Sequence, residues 1–372
     1  MKAAAIISEY NPFHLGHKYQ IDKLRCEGFD IIIAIMSGSI VQRGELACAD
    51  KCARAEAAVR CGADIVIELP TKFACTSAEF FARGGVFAAE KLCADVLSFG
   101  SECGDISQLY AHSLSERTAS PGKRAAEAEL SGTGFLSNDI LAIEYLRAIR
   151  RLGARITPIT HKRIGGAYLS EDANTENPSA SAIRKLLAEG KTEEIFKCMP
   201  EDSYDTLLPS FKLYDAQKRD ERLFDMLTAK FMFTSAEQLS RFAFLSGGLA
   251  ERMKKAACSA SSLDEFYLLS SAKLYTSGRI RRASLCALCE IEASKLSEDA
   301  EYLTLLASNA KGREYISSHS FDIEICSNVR QKKKYPSFEI EKKFDSLYAF
   351  VCAKKNEKRE IYYNKTPYIH QS

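Results

Sequence analysis

Residues 30–36 read Asp-Ile-Ile-Ile-Ala-Ile-Met, an apolar and largely β-branched run with nothing polar to offer water on either face after its first residue. A strand of this kind must be covered on both sides, which points to the interior of a parallel sheet flanked by helices. The neighbouring segments repeat the theme. Ala3–Ile7, Ala63–Leu69 (stopped by Pro70), Ala94–Phe99 and Arg155–Thr160 read as further strands. Between them, His17–Arg25, Lys51–Cys61 (Ala53, Ala57 and Ala58 at helical spacing), Ser77–Lys91 and Asp139–Leu152 read as helices. Strands separated by helices predict an α/β fold built on a doubly wound parallel sheet. The polar stretch Ser113–Gly134 predicts a helix or excursion outside that sheet. At Met199-Pro200-Glu201-Asp202 the rhythm ends, and segments such as Leu223–Ala229, Leu249–Ala257 and Ser297–Ala307 read as helices. The expected division is therefore residues 1–200, an α/β unit, and residues 201–372, a mostly helical unit.

Composition narrows the class. A length of 372 residues suits two domains, and 51 Lys+Arg against 49 Asp+Glu leave a net charge of only +2. No apolar run approaches the ~18 residues that span a bilayer, and the N-terminus lacks a cleavage-like segment, so a cytoplasmic protein without a membrane partner is expected. In that setting the 13 Cys read as reduced thiols. Cys286-Ala-Leu-Cys289 has zinc-like spacing but no second pair, and it falls in Ala283–Leu296, an amphipathic helix. It predicts a buried pair and no metal site.

The chemistry concentrates in Ser8-Glu9-Tyr10-Asn11-Pro12-Phe13-His14-Leu15-Gly16-His17, where the first strand gives way to the first helix. In an open α/β sheet the carboxyl ends of the strands form the ligand crevice. A helix N-terminus there offers free N–H groups and a positive dipole end, which suits phosphate. Gly16 lets backbone approach a ligand closely. His14 and His17 lie on one side of the opening turn, where they can donate to phosphate oxygens, although a cap and a loop residue would be the plainer reading. Gly100 ends strand four on the same sheet edge. Arg163, after strand five, can neutralise a phosphate. Ser179 or Ser181 fits an N-cap, with Arg184 one turn inside that helix. Arg43 and Glu45 are candidates for orienting a substrate, or an ion pair pinning their loop. Glu68 reads as a structural carboxylate.

The His-x-Gly-His pattern resembles the signature of the nucleotidylyltransferase superfamily. A series of further motifs narrows the resemblance: Met36-Ser37-Gly38, Val41-Gln42-Arg43-Gly44-Glu45, Ile67-Glu68-Leu69-Pro70, Phe99-Gly100-Ser101-Glu102, Asn138 before Ile140-Leu141, and Ile143-Glu144-Tyr145. Together with Glu9–His14 these are similar to the tRNA(Met) cytidine acetate ligases, over most of residues 1–190, with echoes at Arg279–Leu285 and Gly312-Arg313. The resemblance implies activation of acetate by ATP to acetyl-adenylate, then transfer of the acetyl group to N4 of the wobble cytidine of elongator tRNA(Met). It implies His14 and His17 as catalytic residues. It implies an ATP site formed by Ile7, Ser8, Glu9, Tyr10, Asn11, Pro12, Phe13, His14, Leu15, Gly16, His17, Lys18, Tyr19 and Gln20, completed by Gly100, Asn138, Arg163, Ser181 and Arg184. Mg²⁺ is expected through the ATP phosphates. The chain departs from the family at Asp139, where a second Asn is usual, and at Leu169, where a His is.

The tRNA partner is not written in the overall charge. Residues 1–200 carry 24 basic and 25 acidic side chains, and residues 201–372 carry 27 and 24. Local clusters remain: Arg279, Arg281 and Arg282 as the leading candidates, then Lys332-Lys333-Lys334, and Lys354-Lys355 with Lys358-Arg359. Two other readings are open: a nucleotidylyltransferase that adenylates a phosphorylated small molecule, and a non-catalytic nucleotide-sensing RNA-binding protein.

Overall fold

The structure, a computed structural model, describes residues 1–115, 134–163, 179–296, 299–353 and 362–371. Its strands are β1 (Ala3–Ser8), β2 (Ile31–Ser37), the short hairpin β3 (Ile40–Val41) and β4 (Glu45–Leu46), then β5 (Ile65–Leu69), β6 (Val96–Ser101), β7 (Thr157–Lys162), β8 (Tyr302–Ser308), β9 (Glu324–Cys326) and β10 (Tyr368–Ile369). The main sheet runs β10-β8-β5-β2-β1-β6-β7, with β9 also on β8. Strands β1, β2, β5, β6 and β7 are parallel. The five strands expected in the first half are all present, each shifted by one or two residues.

Alternation along β2 explains the apolar run. Ile32, Ala34 and Met36 join Ala4, Ile6 and Val66 under α1 (Leu15–Cys26) and α2 (Lys51–Arg60), meeting Ile21, Leu24, Ala55 and Ala58. Ile31, Ile33 and Ile35 face the opposite layer with Ala3, Ala5 and Ile67, under α3 (Ala78–Lys91) and α4 (Ser137–Leu152). Both faces of the strand are core, so neither can be polar. From β1 the chain winds outward to β2 and β5, then returns across the sheet to β6 and β7. The reversal lies between β1 and β6, and a crevice opens beyond their carboxyl ends.

Past residue 200, helices at Glu201–Leu213, Ala216–Phe233, Leu249–Ser259, Leu263–Ser270 and Ser277–Leu288 form the expected helical region, with Leu227, Phe231, Met253, Phe266 and Leu285 in a core of their own. Two expectations there are overturned: the helix expected over Ala283–Leu296 ends at Leu288 with Cys289 as its C-cap, and the next segment changes type. Ser297–Ala307 is not a helix; Tyr302–Ser308 is strand β8, antiparallel to β5 with Ile65 opposite Ser308. The Leu- and Ala-rich run suits either state, and the unpaired edge of β5 selects the strand. The helix Ala310–Ser318 then seats on the sheet at Gly312, where a Cβ would come within 2.1 Å of the Asp64 carbonyl oxygen.

A buried ionic group ties the two ends of the chain together. The Lys51 ammonium lies 2.7 Å from Glu68, 3.2 Å from Glu341 and 2.7 Å from Asp345, and Lys332 pairs with Glu341 at 2.7 Å. Glu68 is thus structural, as its position at a strand end suggested. All 13 cysteines are free thiols, Cys286 and Cys289 both buried. Among the described residues no group of three or more His, Cys, Asp or Glu is placed to hold a metal ion, and no helix is long and apolar enough to cross a membrane. Residues 116–133, within the polar stretch after the helix Ile106–Ser113, lie outside the described residues.

Candidate active site

Helix α1 starts at Leu15, two residues before the expected start, because His14 caps it. The His14 Nδ1 accepts the Gly16 N–H at 3.0 Å, and the His17 Nδ1 accepts the His14 N–H at 3.2 Å. The two rings stack with centroids 3.8 Å apart. Capping and function are therefore the same geometry: with both Nδ1 atoms occupied as acceptors, each neutral imidazole carries its proton on Nε2. Burial, with Arg163 and Arg184 nearby, lowers His14 to about 3, and burial likewise holds His17 well below the ordinary histidine range. The pair can donate hydrogen bonds from Nε2 without carrying charge. Gly16 also makes room for the His14 ring, since a Cβ there would lie 2.9 Å from the His14 Cε1.

The crevice encloses about 1110 Å³, part of it open to solvent. Of the residues expected at an ATP site, Ile7, Ser8, Glu9, Tyr10, Asn11, His14, His17, Gln20, Gly100, Asn138, Arg163 and Arg184 line it. The others do not. Pro12 and Phe13 are buried, Phe13 fully so in the core, and Leu15 anchors the helix start by donating to the Cys198 carbonyl at 3.1 Å. Lys18 pairs with Asp22, and Tyr19 is exposed. Ser181 is displaced as well. Ser179 caps α5 (Ala180–Ala188), while the Ser181 hydroxyl accepts from Arg184 at 3.2 Å and so steers the guanidinium instead of facing the crevice.

The two arginines are positioned by main chain in different ways. Arg184 donates to the Asn11 carbonyl at 2.9 Å. Arg163 lies across Gly100, where a Cβ would come within 3.1 Å of its Cγ, so the glycine at the end of β6 clears space for that side chain. Gln20 turns its amide N–H toward the Ser98 carbonyl at 3.2 Å and hydroxyl at 3.1 Å. A carbonyl only accepts, so the Gln20 Oε1 is the atom left over. Asn138 faces the crevice and donates to Glu102. Asp139, the departure from the family pattern, is buried and turned away. It accepts from the N–H groups of Glu102 at 2.8 Å, Cys103 at 3.0 Å and Leu136 at 3.1 Å, so its charge meets backbone donors and not the crevice.

Sequence reasoning missed the residue that shapes this loop. Arg54 is fully buried and donates to the carbonyls of Ala49, Glu9, Ser37 and Gly38, joining the loops after β1 and β2. Nothing in an Ala-rich helix distinguishes such an arginine from a surface one. Gln42 was quoted only within a motif; its N–H donates to the Glu9 Oε1 at 2.9 Å and its side chain lines the crevice with Arg43. Glu45 points the other way and pairs with Arg281 at 3.3 Å.

The basic clusters are largely committed within the molecule. Arg279 donates to the Phe244 and Ser246 carbonyls at 3.0 and 2.6 Å. Arg282 is 9% exposed and donates to the Gln42 carbonyl at 3.1 Å, a burial at odds with a phosphate contact on the surface. Gly44, at φ 78°, presses on the same helix, where a Cβ would lie 2.5 Å from the Arg282 nitrogen. Arg279–Arg282 thus seats the hairpin on the helical region. Lys332 is buried against Glu341 and Lys334 pairs with Glu324. Lys354, Lys355, Lys358 and Arg359 lie outside the described residues, as does Leu169.

A His-x-Gly-His turn capping the first helix, at the switch point of a parallel sheet, defines a nucleotidyltransferase, and residues 1–362 match the family described as HIGH Nucleotidyl Transferase. The match narrows further. The chain is 36% identical to the tRNA(Met) cytidine acetate ligase of Syntrophotalea carbinolica over 85% of this chain and 82% of that one. Against that of Clostridium perfringens (strain SM101) it is 33% identical over 94% and 96%. Its structure resembles that of Thermotoga maritima TmcAL, at 27% identity and full coverage of both chains, with a TM-score of 0.90 to the apo form and 0.88 to the form bound with alpha-thio ATP. The protein belongs to the tRNA(Met) cytidine acetate ligase family.

Proposed function

We propose that this protein activates acetate with ATP to give acetyl-adenylate and pyrophosphate, then transfers the acetyl group to N4 of the wobble cytidine of elongator tRNA(Met). The observation that carries the reading is the stacked His14–His17 pair, which keeps its Nε2–H donors free of the backbone and lines a crevice with Arg163 and Arg184. Charge develops on phosphate oxygens as acetate attacks the α-phosphorus. Fixed neutral donors and permanent cations aimed into a partly dry crevice stabilise it without reorganising. Gly100, Asn138 and Arg163, on the β6–β7 side, would hold the nucleoside, and the α1 N-terminus with Arg184 the phosphates. A relative crystallised with alpha-thio ATP supports ATP as the nucleotide. Mg²⁺ would accompany ATP through its phosphate oxygens, adding charge neutralisation there.

On this reading residues 1–200 supply the ATP-activating site and residues 201–372 the tRNA-binding region, with the sheet shared between them. Within the arginine cluster, Arg279 and Arg281 are half-buried and more open to RNA than Arg282. The test is acetate-dependent ATP–pyrophosphate exchange, followed by analysis of N4-acetylcytidine in tRNA incubated with ATP and acetate. Exchange should appear only with acetate, and His17→Ala should slow it by about 10²–10³-fold. Absence of exchange with acetate would remove the reading.

A further inference from the structure

The crevice is not confined to the β6–β7 side of the sheet. It continues across β1 toward β2, where Glu9, Gln42 and Arg43 line it together with Ala78 and Phe81 of α3. Glu9 stands at the junction of the two parts. It follows directly on β1 and is tied to the β2 side by one oxygen only, Oε1, which accepts the Gln42 N–H at 2.9 Å. Among the described residues its Oε2 has no hydrogen-bond partner. A carboxylate lining the same crevice as the His14–His17 pair is poorly suited to touch phosphate oxygens, because like charges repel. It suits a partner that donates protons.

We propose that Glu9 is the catalytic base of the acetyl-transfer step, its Oε2 accepting a hydrogen bond and then a proton from the N4 amine of the acceptor cytosine at the β2 end of the crevice. The inference rests on the function proposed above. The exocyclic amine of cytosine is a hydrogen-bond donor that carboxylates recognise. As N4 attacks the acetyl carbonyl of acetyl-adenylate, the N–C bond forms and the bond from the carbonyl carbon to the phosphate oxygen breaks. AMP leaves with that electron pair, and the proton lost from nitrogen passes to Glu9. Burial pushes the Glu9 carboxyl up, only partly countered by the Gln42 hydrogen bond and the charges of Arg184 and Arg43, so it accepts a proton more readily than a surface glutamate. The Gln42 N–H fixes which oxygen faces the amine. The hairpin that supplies it leans on Arg281 and Arg282 of the helical region, so the base is positioned from that side of the molecule.

The two half-reactions separate this role from any other. Glu9→Gln keeps the size of the side chain and an acceptor for Gln42 but removes the base. The expected result is acetyl transfer slowed by about 100-fold or more, a loss about 10-fold or more greater than any loss of acetate-dependent exchange. Transfer is also measured in single turnover from chemically prepared acetyl-adenylate, with ATP and Mg²⁺ omitted. Glu9→Gln should be slow there too, and Glu9→Asp, which retains the carboxylate, should recover part of the rate. Equal loss of exchange and transfer, or wild-type transfer by Glu9→Gln from prepared acetyl-adenylate, would overturn the assignment. Failure of the wild-type protein to exchange with acetate would instead remove the function on which it rests.

Discussion

His14 and His17 are each left with a donor at Nε2 because each has surrendered its other nitrogen to the backbone. An imidazolium would also donate, but here burial and two arginines oppose the charge, so the neutral form prevails. The sign of the pH dependence follows. A cationic pair would lose its donor strength as pH rose through about 6.5, the ordinary histidine value. A neutral Nε2–H pair does not, so ATP binding should not weaken across that range on account of these residues. Nitrogen-15 NMR of the imidazoles should show both as Nε2–H tautomers with no titration between pH 8 and 5; titration near 6.5 in either ring would contradict the arrangement. His14 and Gly16 could be read as a turn from their spacing alone. Arg54 could not, since an arginine at an ordinary helical position becomes buried only because two loops close over it.

At the level of elements, the β3–β4 hairpin works on two sides. Gln42 and Arg43 face the crevice, while Gly44 and Glu45 rest on the helix Ser277–Leu288. Gly44 is required twice over, by its φ of 78° and by the backbone beneath it. Gly44→Ala should therefore destabilise the protein by about 1–3 kcal/mol in urea unfolding, because the neighbour that must yield is helix backbone. Unchanged stability would mean that the hairpin does not depend on that seat. The motif Val41–Glu45 was visible in the sequence as a substrate-orienting candidate. Its second face was not, because the partner lies more than 230 residues away.

Across the whole molecule, the Lys51 group and strand β8 join chain segments that the periodicity assigns to different units. Three carboxylates around Lys51 hold its ammonium far above the ordinary lysine range. Lys51→Met would leave Glu68 and Asp345 buried without that partner, which costs about 3–5 kcal/mol in buried pairs of this kind. Urea unfolding should show the loss, and a change below about 1 kcal/mol would contradict the role given to Lys51. A chain truncated after Met199 would lack β8, Glu341 and Asp345. It should fail to give a cooperative thermal transition, since the edge of β5 and the Lys51 ammonium would both be left open; a sharp transition would show that residues 1–199 fold alone.

Local pattern determined what lies within reach of a strand or a helical turn. The parallel β/α alternation, the burial of Ile31–Met36 on both faces and the His14–Gly16–His17 turn at a strand end were all legible in the sequence, because the periods of 2 and 3.6 and the needs of a helix start act over a few residues. Tertiary structure alone decided that Tyr302–Ser308 is a strand, that Asp139 turns toward backbone donors and that Arg282 is buried under the hairpin. Each of those outcomes depends on a partner distant in the chain, an open strand edge, a set of unpaired N–H groups or a carbonyl, whose position no local pattern records.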